Sequence, residues 1–101
     1  MNEQLYKVLQ NRVPRQYGGN IRKDGEHYIC MNMYGSAVIS LNKLAGEIYY
    51  LIDDKKTINE IVSELVSKYQ NMPLSTIQED VCRCVAELTA LNLITVVRRK
   101  E

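Results

Sequence analysis

The second half of the chain repeats apolar residues at the three- and four-residue spacing of amphipathic helices. This spacing occurs in three stretches. The apolar positions are Leu44, Ala45, Ile48, Leu51 and Ile52 in the first, Ile58, Ile61, Val62, Leu65, Val66 and Tyr69 in the second, and Ile77, Val81, Cys84, Val85, Leu88 and Leu91 in the third. The pattern predicts three helices that each bury one face in a common core.

Each predicted helix follows a residue that can cap its amino end. Asn42 precedes the first helix, and asparagine is a favoured N-cap because its side-chain oxygen accepts a bond from a free backbone N–H group. Thr57 and Glu60 have the spacing of a capping box, in which two residues bond reciprocally. Ser75 and Gln78 have the same spacing. These residues predict where the three helices begin.

The front half of the chain alternates β-rich segments with turn residues. These segments cover 21–23, 27–33 and 37–41, and a fourth covers 93–97 after the third helix. Asp24-Gly25 predicts a hairpin, because both residues tolerate the positive φ angles of tight turns. The order predicts an α+β domain similar to a winged helix-turn-helix, with an N-terminal three-stranded antiparallel sheet, three helices and a short C-terminal strand.

The 101 residues are expected to form a single domain. Residues 1–20 are polar and are predicted to be a loose arm, 21–98 to be the folded domain, and 99–101 to be a charged tail. No stretch approaches the roughly 20 apolar residues that cross a bilayer. The first 20 residues also lack the apolar centre of a signal peptide, so we expect a cytoplasmic protein.

Composition argues against two classes of partner. Apolar residues make up 46% of the chain and charged residues 25%, with a formal net charge of +1. A charge this small gives no strong field for attracting nucleic acid or an anionic membrane. We therefore expect neither of them as a partner.

The residues that most often carry catalysis or bind metal do not form a site. Cys82 and Cys84 point about 200° apart on a helix, so the two thiols cannot share a metal there. Cys84 is expected in the core and Cys82 to be partly exposed. Cys30 and the single histidine, His27, fit no zinc spacing. The sequence predicts no catalytic residue, no metal and no cofactor, and hence no enzyme.

The third predicted strand offers a different kind of site. If it forms a sheet edge beside the third helix, the two make a groove that suits an extended peptide added as a strand. The alternative is that the C-terminal strand covers this edge. The predicted contacts are the backbone of Ala37, Val38, Ile39 and Ser40 and the helix residues Arg83, Cys84 and Glu87. The opposite flank of the helix would substitute Gln78, Cys82 and Val85.

A set of residues between Leu41 and Ile94 matches a known pattern. It comprises Leu41-Asn42, Ile48, Thr57-Ile58-Asn59-Glu60-Ile61-Val62, Leu65, Tyr69, Asp80-Val81, Val85, Leu88 and Leu91-Asn92-Leu93-Ile94. In these positions the chain resembles the PqqD-like family, the recognition elements for precursor peptides that are ribosomally made and post-translationally modified (RiPPs). The family often has Gly in place of Asn92 and Phe-Leu in place of Cys84-Val85.

The resemblance implies a non-enzymatic peptide chaperone. Such proteins hold the leader segment of a precursor peptide against the third strand and the third helix. They deliver it to a maturation enzyme, which is a radical-SAM enzyme or, in lasso-peptide pathways, a leader peptidase and cyclase. Two other functions stay open: a winged-helix DNA-binding regulator, which acidic Glu79, Asp80 and Glu87 around Arg83 disfavour, and a structural subunit. A homodimer through an unpaired strand edge also stays open.

Overall fold

A computed structural model describes residues 3–16, 21–25, 27–31 and 38–98. The elements in chain order are α1 (Glu3–Leu9), β1 (Arg12–Gln16), β2 (Ile21–Asp24), β3 (His27–Met31), β4 (Val38–Leu41), α2 (Lys43–Leu51), α3 (Ile58–Lys68), α4 (Leu74–Ala90) and β5 (Ile94–Arg98). The described strands form two antiparallel sheets, one of β1 and β5 and one in the order β2-β3-β4. The fold is α+β, as predicted, and its likeness to a winged helix stays a prediction.

The predicted three-stranded sheet is confirmed. Gly25 has a φ of 63° in the turn between β2 and β3, a conformation that glycine adopts without steric cost. In β4, Leu41 is buried and Ile39 is half-buried, whereas Val38 is 68% exposed. The alternation of faces predicted for this strand is therefore present, and the inward face lies on the core.

Helices α2 and α3 begin where their caps predict. The side chain of Asn42 accepts a hydrogen bond of 2.8 Å from the backbone N–H of Ala45. Thr57 Oγ1 accepts from the Glu60 N–H at 3.2 Å, and Glu60 Oε1 accepts from the Thr57 N–H at 3.0 Å, which completes the capping box. Both predicted starts are confirmed.

The capping box predicted for the third helix, α4, is wrong. This helix begins at Leu74, one residue before Ser75, and Pro73 occupies the N-cap position without a side-chain hydrogen bond. The ring of Pro73 holds its φ at −60°, which directs the chain into the helix. A residue that lies inside the first turn is no longer placed to cap it.

The prediction of a loose N-terminal arm is wrong for residues 3–16, which form α1 and β1. Tyr6 is only 7% exposed, and its hydroxyl donates a 2.6 Å hydrogen bond to Asn59 Oδ1 of α3. Val13 and Pro14 are also buried. Pro14 is tolerated in β1 because, among the described strands, β1 pairs only with β5 and needs no donor on its other side. The boundaries at 21 and 98 remain predictions, and 17–20 and 99–101 lie outside the described residues.

One hydrophobic core joins the inner face of the three-stranded sheet to the helices. Its deeply buried members on the helices include Ile48, Tyr49, Ile58, Ile61, Leu65, Val81 and Leu88. None of the helices in the described part of the chain is long and apolar enough to span a bilayer.

Candidate functional site

Strand β4 forms one edge of the three-stranded sheet. It pairs with β3 on one side, and none of the described strands pairs with it on the other. The C-terminal strand β5 pairs with β1 instead, from Arg12 opposite Arg98 to Gln16 opposite Ile94. The alternative in which the terminal strand covers this edge is therefore wrong. Of the predicted contacts, Ala37 lies outside the described residues.

The two edges of this sheet differ in chemistry. Strand β2 carries Arg22 and Lys23, and charged side chains of this kind protect an edge from pairing with another chain. Strand β4 has the sequence Val-Ile-Ser-Leu and carries no charge. Its unpaired backbone groups therefore lie beside uncharged side chains, which leaves β4 the less protected edge.

One flank of α4 is covered by α1. The Tyr6 hydroxyl lies close to Cys82 and Gln78, and burial together with the Cys82 thiol raises the pKa of Tyr6 above its ordinary value. Cys82 is only 1% exposed, so the prediction that it is partly exposed is wrong. The physical reason is the packing of α1, which sequence reasoning did not place there.

The other flank of α4 carries the predicted helix contacts. Cys84 is 7% exposed and belongs to the core, as predicted, whereas Arg83 and Glu87 are exposed. Arg83 Nη2 donates a 2.7 Å hydrogen bond to Asp80 Oδ1, so its charge is paired within the helix. Glu87 has no ion pair with any described residue. The exposed rim of this flank therefore has a net charge of −1, counted over Asp80, Arg83 and Glu87.

The Cys84 thiol stays protonated at neutral pH. Burial, reinforced by the nearby Glu87 carboxylate, raises the pKa of Cys84 to about 12. A protonated thiol behaves as a small hydrophobic group. This position is thus a neutral, apolar patch beside the acidic rim.

The strand and helix parts of the candidate site border the same core. Leu41 of β4 and Cys84 of α4 both belong to it, and Ile39 packs against it. Helix α2 contacts both β4 and α4. The structure thus arranges the two predicted parts around one hydrophobic cluster, with α2 in contact with each.

Sequence reasoning missed a concavity on the outer face of the sheet. It has a volume of about 270 Å³ and is lined by Arg22, Ile29, Cys30, Met31 and Val38. Met31 is 44% exposed and lies opposite Val38 in the β3–β4 register. The alternation of residues along 27–31 could have indicated an apolar outer face, because Ile29 and Met31 fall on one face of the strand.

No metal or redox centre is visible in the part of the chain that the structure describes. No group of three His, Cys, Asp or Glu side chains lies there in a position to hold a metal ion. Cys30, Cys82 and Cys84 are all free and buried. His27 is exposed at the start of β3.

Comparison with known proteins identifies one family. Residues 27–94 match the family model described as Coenzyme PQQ synthesis protein D (PqqD). The match spans about two thirds of the chain, from β3 to the first residue of β5, and it includes both β4 and α4. No curated protein and no solved structure matches the chain.

Proposed function

Since the chain belongs to the PqqD family, we propose that it is a non-catalytic chaperone for a ribosomally made precursor peptide. It binds the leader segment of that peptide and presents it to a maturation enzyme. The observation that carries this proposal is the edge of β4, which is uncharged and has no described strand on its outer side. An edge of this kind suits an extended peptide that adds as a further strand.

The added strand would read side chains on two faces. Successive residues of a strand point to opposite sides of the sheet, so a bound leader alternates between them. On the inner side its residues would face the α4 flank at Cys84, which is neutral and nearly buried and so favours an apolar side chain. On the outer side they approach Met31 and Val38 in the sheet-face concavity. Pairing with the β4 backbone would supply the affinity, and side-chain contacts on these two faces would select among leader sequences.

The rim of α4 adds a preference for charge. Glu87 is exposed and unpaired in the described structure, whereas Arg83 is already neutralised by Asp80. A leader with a lysine or arginine near Glu87 would therefore be favoured over one with an acid there. The paired state of Arg83 also argues against the DNA-binding alternative, because such a helix needs free cations to face phosphates.

The direct test is a titration with the leader encoded by a short open reading frame beside the gene. Isothermal calorimetry should show saturable binding of the synthetic leader. Two N-methylated leaders provide the matched control, with the methyl groups on alternate residues in one phase or the other. Only one phase should abolish binding, because every second N–H group of a strand points to its partner. Equal affinity of both would contradict strand addition.

Substitutions on the protein locate the peptide. Val38→Lys places a charge beside the β4 edge at a position that is 68% exposed, so we expect weaker leader binding and a nearly unchanged fold. Val8→Lys on α1 is the control, because Val8 is similarly exposed at 58%. Glu87→Lys should also weaken binding, because it replaces the unpaired negative charge of the α4 rim with a positive one. If Val38→Lys and Glu87→Lys both bind the leader as the unaltered chain does, the placement on β4 and α4 is wrong.

A further inference from the structure

A second concavity, of about 250 Å³, opens between α2, α3 and the ring of Tyr28. We call it the tyrosine pocket and define it by Tyr28, Tyr50, Glu47, Glu64 and Lys68, which line it. It shares no residue with the proposed peptide site. Nothing in the proposed function explains why these side chains converge there.

A buried carboxylate forms one wall of the tyrosine pocket. The side chain of Glu47 is only 8% exposed. Its Oε2 accepts a 2.6 Å hydrogen bond from the Tyr69 hydroxyl and lies 2.9 Å from Lys68 Nζ. Its second oxygen, Oε1, accepts no hydrogen bond from any described residue. Burial raises the pKa of Glu47, but the bonds from Tyr69 and Lys68 outweigh it and hold the pKa below its ordinary value, so the carboxylate is ionised at neutral pH.

Two tyrosine rings also line the pocket. Tyr28 and Tyr50 pack edge to face, with ring centroids 5.4 Å apart and planes at 64°. Tyr28 is buried, whereas Tyr50 is 55% exposed, so one ring face of the pair is accessible to a partner. The faces of such rings attract cations. Lys23 Nζ already lies 6.0 Å from the Tyr28 centroid.

The rim adds a second negative charge. Glu64 is 47% exposed, and the nearest cation to it, Lys56, is 3.8 Å away and is bound more closely to Asp53, at 2.9 Å. Among the described side chains that line the pocket, two are carboxylates and one, Lys68, is a cation; Lys43 and Lys23 act on Glu47 and Tyr28 from outside this lining. An aromatic wall beside two carboxylates is complementary to a cation.

We propose that the tyrosine pocket receives an arginine side chain of the maturation enzyme, and so docks that enzyme while the leader occupies β4. This deepens the proposed function and rests on it for the identity of the partner. The volume suits one side chain and is below the range of about 300–1,000 Å³ typical of small-molecule sites. Arginine suits the walls better than lysine, because its planar guanidinium stacks on rings and bonds to carboxylates in pairs.

Lys68 is the competitor for this position. It is 58% exposed on the last turn of α3, so it can move toward solvent when a guanidinium binds. Replacing it with a neutral residue removes a repelling charge and the ion pair to Glu47 Oε2, which keeps its hydrogen bond from Tyr69. Lys68→Gln is therefore expected to bind arginine more tightly than the unaltered chain, which a purely structural Lys68–Glu47 pair would not do.

The first experiment uses N-acetyl-L-arginine N-methylamide as the probe and the ¹⁵N-labelled full chain. Amide shifts should change at Tyr28, Tyr50 and Glu64 and saturate with probe concentration. The matched control is the citrulline analogue, which has nearly the same shape and no charge. Shifts of equal size with citrulline, or no shifts with arginine, would overturn the proposal.

Three substitutions test the walls. Tyr50→Leu and Glu64→Gln should each raise the dissociation constant of the arginine probe by about twofold to fivefold, the range for exposed cation–π and charge contacts. Asp54→Asn is the control, an exposed carboxylate outside the pocket, and should leave this dissociation constant unchanged. If Tyr50→Leu and Glu64→Gln bind the probe as the unaltered chain does, the pocket is wrongly assigned.

The enzyme encoded beside the gene completes the test. Its affinity for the chain should fall in Tyr50→Leu and Glu64→Gln and rise in Lys68→Gln, while the affinity for the leader stays constant in all three. Unchanged enzyme affinity would refute the docking role. Failure of the leader to bind, with saturable arginine binding retained, would refute the proposed function and leave the pocket standing. The two failures are thus distinguishable.

Discussion

Replacing Gly46 with alanine should destabilise the protein, although the same change in an exposed helix stabilises it. Gly46 lies inside α2, where alanine is favoured over glycine by about 1 kcal/mol. A Cβ atom at this position would lie 1.8 Å from Tyr28 Cδ1 and 2.2 Å from Tyr28 Cγ. Carbon atoms pack at about 3.5–4.0 Å, so the ring would have to move away by roughly 2 Å.

The ring has no easy way to retreat. Tyr28 is 7% exposed, it packs against Tyr50, and its backbone is paired with Lys23 on one side and Leu41 on the other. Expelling a buried aromatic side chain costs about 1.5–3 kcal/mol, and the space that it leaves adds to that cost. After the gain in helix propensity, we expect a net loss of roughly 1–3 kcal/mol. For a domain of this size, each kcal/mol lowers the Tm by about 4–8 °C.

Urea denaturation followed by circular dichroism at 222 nm measures this loss. The decisive control is the Tyr28→Ala background, in which the clashing atoms are absent, measured with an osmolyte if that variant is marginally stable. There Gly46→Ala should stabilise the protein by up to about 1 kcal/mol. The reasoning would be refuted if Gly46→Ala stabilised the unaltered chain, or if it still lowered the free energy of unfolding in the Tyr28→Ala background.

Three further changes test how the helices are held. Tyr69→Phe removes a hydrogen bond to the ionised Glu47 and should lower the free energy of unfolding by about 1.5–3 kcal/mol at pH 7. Because folding lowers the pKa of Glu47, the contribution of this bond is lost as pH falls through that pKa, and the penalty should shrink in acid. A penalty in urea denaturation that does not change with pH would contradict this. Thr57→Ala breaks the capping box of α3 and should cost about 0.5–2 kcal/mol in the same assay, whereas a loss under about 0.3 kcal/mol would mean that the cap is not formed. Tyr6→Phe removes the bond to Asn59 and should cost about 0.5–1.5 kcal/mol and speed amide hydrogen exchange in α1; unchanged exchange would argue that this bond does not hold α1 in place.

Features that depend on neighbouring residues could be predicted from the sequence. The cap at Asn42 and the capping box at Thr57 involve residues three positions apart, and both are present. The turn at Gly25 needs only a residue that tolerates a positive φ. The same holds for the alternation of faces in β4, because its period is a property of the strand itself.

Features that depend on distant residues were missed. Residues 3–9 look like a polar arm, and a helix of this length is not stable in water by itself. It forms where Tyr6 packs on α4 and bonds to Asn59, a residue 53 positions away. Its packing also buries Cys82, which the periodicity of α4 placed on the margin of the buried stripe.

The features of the candidate site fall into the same two groups. The sequence by itself determined that β4 is uncharged and that Cys84 faces the core, because both follow from residue type and spacing. Only the tertiary structure decided that the β4 edge stays open among the described strands, because β5 pairs with β1, whose residues lie 78 to 86 positions away in the chain. It also decided the burial of Glu47 and the need for glycine at Gly46, since both arise where Tyr69 and Tyr28 come from other elements to meet α2. Interactions between neighbouring residues determine local features such as caps and turns, whereas the packing of the whole core determines which distant segments pair.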